Sequence, residues 1–172
     1  PDSRARRSAQ NALHHVTHAL ARWMAPILSF TGEEVWGDLA ANADDSVFLH
    51  TWHALPDQTG AADLIARWGR IRAVRADVQK ELETVRVAGG IGSSLQAEVA
   101  LHASPATLAL LEPLGDDLRF VLITSKATLI AAETDHVVVT PSQAKKCDRC
   151  WHWRHDVDSH PDHPGLCGRC VE

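Results

Sequence analysis

Four cysteines carry the clearest chemistry in this chain. Cys147-Asp148-Arg149-Cys150 and Cys167-Gly168-Arg169-Cys170 are two Cys-x-x-Cys turns separated by sixteen residues, a spacing that reads as a zinc site. Each turn presents two thiolates at one point, and two turns complete a tetrahedron of soft ligands about 2.3 Å from the metal. Gly168 suits the tight backbone expected of the second turn. Four thiolates close the coordination shell and leave no position for water, so the expected ion is one structural Zn2+ with no catalytic part. Two disulfides in a secreted mini-domain are the competing reading. No export signal is visible and no cysteine lies elsewhere in the 172 residues, which favours the metal. His152, His155, His160 and His163, between the pairs, are expected at the surface.

Cations and rings surround the cysteines. Lys145, Lys146, Arg149, Trp151, His152, Trp153, Arg154 and Arg169 make a mixture suited to phosphates and unstacked bases. The alternative is that Trp151 or Trp153 forms the knuckle's own core. A second basic group is Arg67, Arg70, Arg72, Arg75, Lys80 and Arg86. Against four acidic residues it gives residues 63–90 a local balance of +2 in a chain of net charge −5. Spread evenly, that negative charge would repel nucleic acid, so its distribution decides the matter. The competing reading for these arginines is a solvated helix face paired with nearby Asp and Glu.

Other candidate motifs do not hold. Gly90-Ile91-Gly92-Ser93-Ser94-Leu95 lacks the third glycine of a dinucleotide fingerprint and follows a helix instead of a strand. His14-His15-Val16-Thr17-His18 lacks the glutamate of a zinc protease. With no nucleophile elbow and no phosphate loop, the chain by itself does not read as an enzyme.

The elements that must position these residues follow from periodicity. Leu13, Val16, Leu20 and Trp23 recur at helical spacing over about residues 3–24, with Arg and His on the other side. Pro26 interrupts the pattern. Thr31-Gly32-Glu33-Glu34 reads as a capping box starting a new helix, whose buried side is Val35, Trp36 and Leu39. Residues 41–60, rich in Asn, Asp, Pro and Gly, form a junction. A long helix follows over 61–87, with Leu64, Trp68, Ile71, Val78, Leu82 and Val85 on its apolar side, and Gly89-Gly90 ends it. Residues 95–103 alternate as a strand with one wet face, 105–114 read as helix, and strands are expected within 120–131 and at 137–139. The fold class is therefore α+β and multi-module: a helical segment, a small α/β junction module and a C-terminal four-cysteine knuckle. From Lys145 onward the apolar anchors are few, chiefly Trp151, Trp153, Val157, Leu166 and Val171, so the knuckle needs both its ion and a surface to dock on.

No run approaches the ~20 apolar residues of a membrane span, and no signal-peptide core follows Arg4, Arg6 and Arg7. The only methionine is Met24 and the chain begins Pro1-Asp2, so a segment of a longer protein is expected.

Met24-Ala25-Pro26-Ile27-Leu28-Ser29-Phe30-Thr31-Gly32-Glu33-Glu34-Val35-Trp36 resembles the closing helices of the anticodon-binding bundle in class I aminoacyl-tRNA synthetases. Residues 46–52 (Ser-Val-Phe-Leu-His-Thr-Trp) and 91–99 (Ile-Gly-Ser-Ser-Leu-Gln-Ala-Glu-Val) resemble the region beyond that bundle in the bacterial isoleucyl-tRNA synthetase family. Cys147-Asp148-Arg149-Cys150-Trp151-His152 with Cys167-Gly168-Arg169-Cys170-Val171 is similar to that family's terminal zinc finger. The resemblance implies three parts: 1–58 as the end of the anticodon-binding bundle and a linker, 59–142 as a long helix plus the junction module, and 143–172 as the zinc finger. It implies a cytoplasmic, monomeric ligase that activates isoleucine with ATP, esterifies it to isoleucine tRNA, and hydrolyses mischarged valine in an editing domain. ATP would bind only in a catalytic domain whose H-I-G-H and K-M-S-K-S signatures are absent from Pro1 to Glu172. What falls to these residues is recognition of the anticodon stem-loop, beside the enzyme's remaining domains. The expected tRNA contacts are Arg67, Arg70, Arg75, Lys145, Lys146, Arg149, Trp151, Trp153, Arg154 and Arg169. The competing readings are a fragment of a formamidopyrimidine-type DNA glycosylase, which ends in a similar finger, and a zinc-stabilised protein interaction module.

Overall fold

The computed structural model describes residues 3–40, 42 and 44–172. Its contacts divide the chain into two compact units, Pro1–Thr59 and Gly60–Glu172.

The first unit is a helical hairpin closed by a turn. Helix α1 spans Arg4–Met24 and starts where the Ser3 hydroxyl accepts from the Arg6 amide at 3.2 Å. Helix α2, Ser29–Leu39, begins two residues before the expected capping box, and its N-cap, Leu28, makes no side-chain cap bond. Thr31 lies inside the helix, and the acidic residue with a structural task is Glu33. Its carboxylate accepts from the Ser46 hydroxyl at 3.0 Å and the Val47 amide at 3.1 Å, pinning the short 3-10 turn Val47–Leu49 onto α2. The core is small: Ala21, Ala25, Trp36 and Val47, flanked by Val35, Leu39 and Ala40. Gly32 sets the helix separation, since a Cβ there would lie 3.0 Å from the Ala25 Cα. The apolar side of α1 is not the packed one. Leu13 is 63% and Trp23 51% exposed, and Val16 and Leu20 are also exposed. What α1 turns toward α2 is a stripe of small and polar residues, in which the His18 ring meets Trp36 edge-on at 5.3 Å and the Arg22 guanidinium lies 4.5 Å over the same indole.

The second unit is built on helix α3, Ala61–Val87. A double hydrogen bond ends it, from the Gly89 amide to the Arg86 carbonyl and from the Gly90 amide to the Val85 carbonyl, with Gly89 at φ +77°. Only its C-terminal part buries the expected apolar side, through Ile71, Val78 and Leu82 with Val74 and Val85 beside them; Leu64 and Trp68 stay exposed. The covering layer is a three-stranded sheet in the order β2-β1-β3. Central strand β1, Ala97–Ala103, alternates as expected: Ala97, Val99, Leu101 and Ala103 are buried, and the residues between them are half-exposed. It pairs in parallel with β2, Lys126–Ala131 (Leu101 opposite Leu129), and antiparallel with β3, His136–Pro141 (Val99 opposite Val139). The β1–β2 crossover carries α4, Pro105–Leu111, a 3-10 stretch, and α5, Leu118–Leu122, whose buried leucines complete the core. The knuckle follows, with a two-stranded ribbon of β4, Lys145–Lys146, and β5, Trp153–Arg154, and a last turn of helix α6, Gly168–Val171.

Candidate metal centre and cationic surface

The four cysteines converge. Their sulfur atoms all lie within 4.8 Å of one another, none is in a disulfide, and the Cys150 and Cys167 sulfurs are 3.7 Å apart. A tetrahedron of thiolates about 2.3 Å from zinc has edges of about 3.8 Å, so the donor set fits the ion. Backbone hydrogen bonds shape the turns. The Trp151 amide donates to the Cys147 carbonyl and the Cys170 amide to the Cys167 carbonyl, each at 2.9 Å, while the Cys167 amide points at the Cys147 sulfur at 3.4 Å. The glycine whose conformation the knuckle requires is Gly165, at φ +78° against the Asp148 carboxylate, where a Cβ would collide. Gly168 lies within the tight second turn, as expected, opens α6 and donates its amide to Asp156 at 3.1 Å.

Ionised sulfurs this close repel, so their proton affinities spread apart. At Cys147, burial opposes ionisation, but hydrogen bonds from the backbone of Cys150, Cys167 and Arg149 outweigh it and bring the thiol down to about 6. Burial and the neighbouring thiols push Cys170 up to about 12, and Cys167 also rises, burial first. A divalent ion gives each thiolate an opposite charge and removes the conflict. Cys147, Cys150, Cys167 and Cys170 can thus hold one Zn2+ as a closed structural centre.

The knuckle rests on the junction module. The Trp153 amide donates to the Ser125 hydroxyl at 2.6 Å. His152 is buried, contrary to its expected surface place, and its ring meets Phe120 edge-on at 5.5 Å. Burial, followed by the charges of Arg169, Arg119 and Arg154, lowers its pKa, so it packs as a neutral ring. His155, His160 and His163 are exposed.

The expected cationic residues are not equivalent. Lys145 binds Asp158 at 2.8 Å and Arg154 binds Asp156 at 2.9 Å. Each partner aspartate is held below the ordinary carboxylate range, first by that hydrogen bond. Arg149 donates to the Cys170 carbonyl at 2.8 Å and so braces the metal turn. The Lys146 ammonium lies 5.3 Å over the ring of Trp151, which is exposed in a left-handed conformation at φ +64°. Trp153 is half-buried. Arg169 lies 4.9 Å over Phe120. Arg67 and Arg70 are exposed on α3, and Arg75 is half-buried. Among the described residues, no carboxylate lies within 4.0 Å of Arg67, Arg70, Arg72, Arg75, Arg149 or Arg169.

A depression of about 380 Å³ beside Arg75 is lined by Trp68, Arg72, Phe120, Val121 and Ile123. Sequence reasoning counted Arg72 among the basic residues without assigning it a contact, and it missed Phe120. The latter carries no local signal, because only the docking of the knuckle brings Arg169 onto it.

Comparison with known proteins finds two families along the chain. Residues 1–101 match the family described as the anticodon-binding domain of tRNA ligase, and residues 144–172 match one described as a zinc finger found in FPG and IleRS. Similar proteins include an isoleucine-tRNA ligase of Thiobacillus denitrificans, 75% identical over 170 residues, covering 99% of this chain. Those of Janthinobacterium sp. (strain Marseille) and Nitrosomonas europaea are 58% and 56% identical over 98% and 96% of it. The chain spans 18% of the length of each of these relatives. The finger family joins two kinds of protein, so the longer match discriminates between them. Since that match takes in α1, α2, α3 and most of β1, the chain belongs to the anticodon-binding domain family of tRNA ligases.

Proposed function

We propose that this chain is the tRNA-binding C-terminal part of an isoleucine-tRNA ligase. It recognises the anticodon stem-loop of isoleucine tRNA so that an ATP-dependent catalytic domain in the rest of the protein can aminoacylate it. The observation that carries the reading is the match of residues 1–101 to the anticodon-binding domain family, together with the similarity to isoleucine-tRNA ligases over nearly the whole chain. In this reading 1–58 closes the anticodon-binding bundle, 59–142 is a long helix with the junction module, and 143–172 is a zinc finger held by Cys147, Cys150, Cys167 and Cys170. Zinc supplies shape, fixing where the arginines and rings of the finger stand.

The exposed apolar side of α1 supports a place within a larger bundle. Ile27, Phe30, Leu49 and Trp52 are exposed as well, and large exposed apolar side chains in such number mark a surface that a neighbouring domain or partner covers. The remaining domains of the enzyme are its natural cover. Of the expected RNA contacts, Arg67, Arg70, Arg75, Lys146 and Arg169 make no ion pair among the described residues, and the Trp151 ring is exposed. Lys145, Arg149, Trp153 and Arg154 are engaged within the second unit. In this reading the whole enzyme, its apolar surfaces covered, works as a cytoplasmic monomer. Among the described residues no helix is long and apolar enough to cross a membrane.

The test is filter binding of the zinc-loaded chain to isoleucine tRNA and to unrelated tRNAs at moderate salt. Preference for the isoleucine tRNA is expected. Equal weak binding to all would assign specificity elsewhere, and excision of oxidised bases from DNA would favour the glycosylase reading, for which only the finger speaks.

A further inference from the structure

We propose that the RNA-facing surface of the second unit is a seam between α3, the end of α5 and the knuckle. It is built from Trp68, Arg72, Arg75, Phe120, Ile123 and Arg169, and takes the sugar-phosphate backbone of an unpaired RNA segment with one base stacked on Trp68. This rests on the tRNA-binding reading and specifies where in the unit that binding occurs.

Charge separates the seam from the internally paired part of the basic surface, a property it shares with Arg67, Arg70 and Arg149; its shape sets it apart from those. The ammonium of Lys145 and the guanidiniums of Arg154, Arg119 and Arg86 are each neutralised by a carboxylate within 3.0 Å. Arg72, Arg75 and Arg169 have none within 4.0 Å among the described residues. A phosphate can therefore bind them without displacing an internal partner. Among the described residues the Nε of Arg75 is shielded from solvent and has no hydrogen-bond acceptor, a condition shared with the Nε of Arg22 and Arg119. A buried donor left in that condition is costly unless a ligand or water completes it.

The shape suits a strand. The depression of about 380 Å³ bounded by Trp68, Arg72, Arg75, Phe120 and Ile123 continues along Arg72, Arg75, Ala76 and Gln79 as a second one of about 400 Å³. Trp68 is 40% exposed and offers the π-face on which an unstacked base rests. Phe120 has another task. Arg119 lies 4.7 Å and Arg169 4.9 Å from its ring centre, so it is a positioning residue that holds the knuckle's guanidinium next to a ring that itself lines the depression. Ile123 closes α5 in the left-handed region at φ +59°, a conformation that β-branched residues rarely keep except where a site demands it. An acidic peptide would match the charges but would leave the indole unused.

The experiment measures binding of the zinc-loaded chain to isoleucine tRNA as a function of salt, with zinc content and circular dichroism checked for each variant. Arg72→Ala with Arg75→Lys is expected to weaken binding about tenfold or more. The exposed single change Arg72→Glu should do the same and lower the salt slope by about one. Trp68→Leu should weaken binding and leave the slope, while Trp68→Phe retains it. Phe120→Leu should weaken binding with zinc content unchanged, and Phe120→Tyr should restore it. Arg86→Ala, at a guanidinium already paired with Glu83, should change affinity less than threefold. If the chain prefers isoleucine tRNA but the seam variants bind as the parent does, this proposal fails and the functional reading stands. If polyglutamate competes as well as RNA, an acidic protein partner replaces RNA. If the unaltered chain binds no tRNA, both fall.

Discussion

Cys147 and Cys167 are fully buried, whereas Cys150 and Cys170 keep partial access to solvent, so two inner and two outer thiolates would share the ion. Substituting Cys147→Ser removes the ligand that also accepts the Cys167 amide. Zinc should fall from one per chain to well below it, and amide protection should be lost over residues 145–172 while the helical circular dichroism persists; a native protein with two disulfides and no metal would refute this. In the first unit the histidines give a pH signature. Arg22 can only donate, so at 3.1 Å it finds His53 Nδ1 unprotonated, which makes His53 Nε2 the donor to His15 Nδ1 at 3.0 Å. His18 is lowered by burial first, then by His14, Arg22, His53 and His15; His53 is lowered by burial, then by Arg22. Asp45, the carboxylate bonded to the Trp36 indole against which His18 packs, is also taken up by His50. Because the folded values lie below the ordinary one of about 6.5, the unfolded chain binds the extra protons. The stability of the hairpin is therefore complete above about pH 6.5 and declines as pH falls below it. Hydrogen exchange of α1 and α2 at pH 7.5 and 5.5 should show this, and His18→Gln should flatten the dependence.

Helix α2 depends on what it lacks. At Gly32 any side chain meets the backbone of Ala25, and Val combines that clash with poor helix propensity, so Gly32→Val should destabilise the first unit by about 1–3 kcal/mol in denaturant titration. The left-handed end of α5 has the opposite character. Ile123→Gly relieves a penalty of about 1–2 kcal/mol, partly offset by the added freedom of glycine in the unfolded chain. A net gain of about 0.5–1 kcal/mol in the second unit is expected, and a loss would mean that the packing of Ile123 outweighs its strain. Periodicity located α3 well, because capping glycines bracket a long continuous pattern at Gly60 and Gly89-Gly90. It misplaced the start of α2, because Thr31 and Glu34 have the right types for a cap but the chain is already helical at Ser29.

Taken whole, the molecule pairs a small, incompletely covered helical unit with a better-filled α+β unit. The first keeps Phe30 90% and Ile27 83% exposed, so the isolated chain should bind an apolar dye and self-associate with rising concentration. Replacing Ile27 and Phe30 by Gln and Ser should suppress both in light scattering without loss of helix content. Unchanged association would point to some other surface.

The metal centre, the class of the fold and most helices and strands were legible in the sequence, because each rests on local spacing. Two thiolates three residues apart must share a turn, and apolar residues at period 3.6 or 2 declare helix or strand. Which side of α1 is packed was not legible: Leu13 and Trp23 form the greasier stripe, but close approach at Gly32 selects the small side, with Ala21 and Ala25 buried. Likewise, composition could not rank the cations of the knuckle. Lys145 and Arg154 became internal partners of Asp158 and Asp156, while Arg169 came to lie over Phe120, forty-nine positions away in the chain. Those outcomes depend on how separate elements dock, and docking answers to shape and desolvation across the whole surface, which no short stretch of residues encodes.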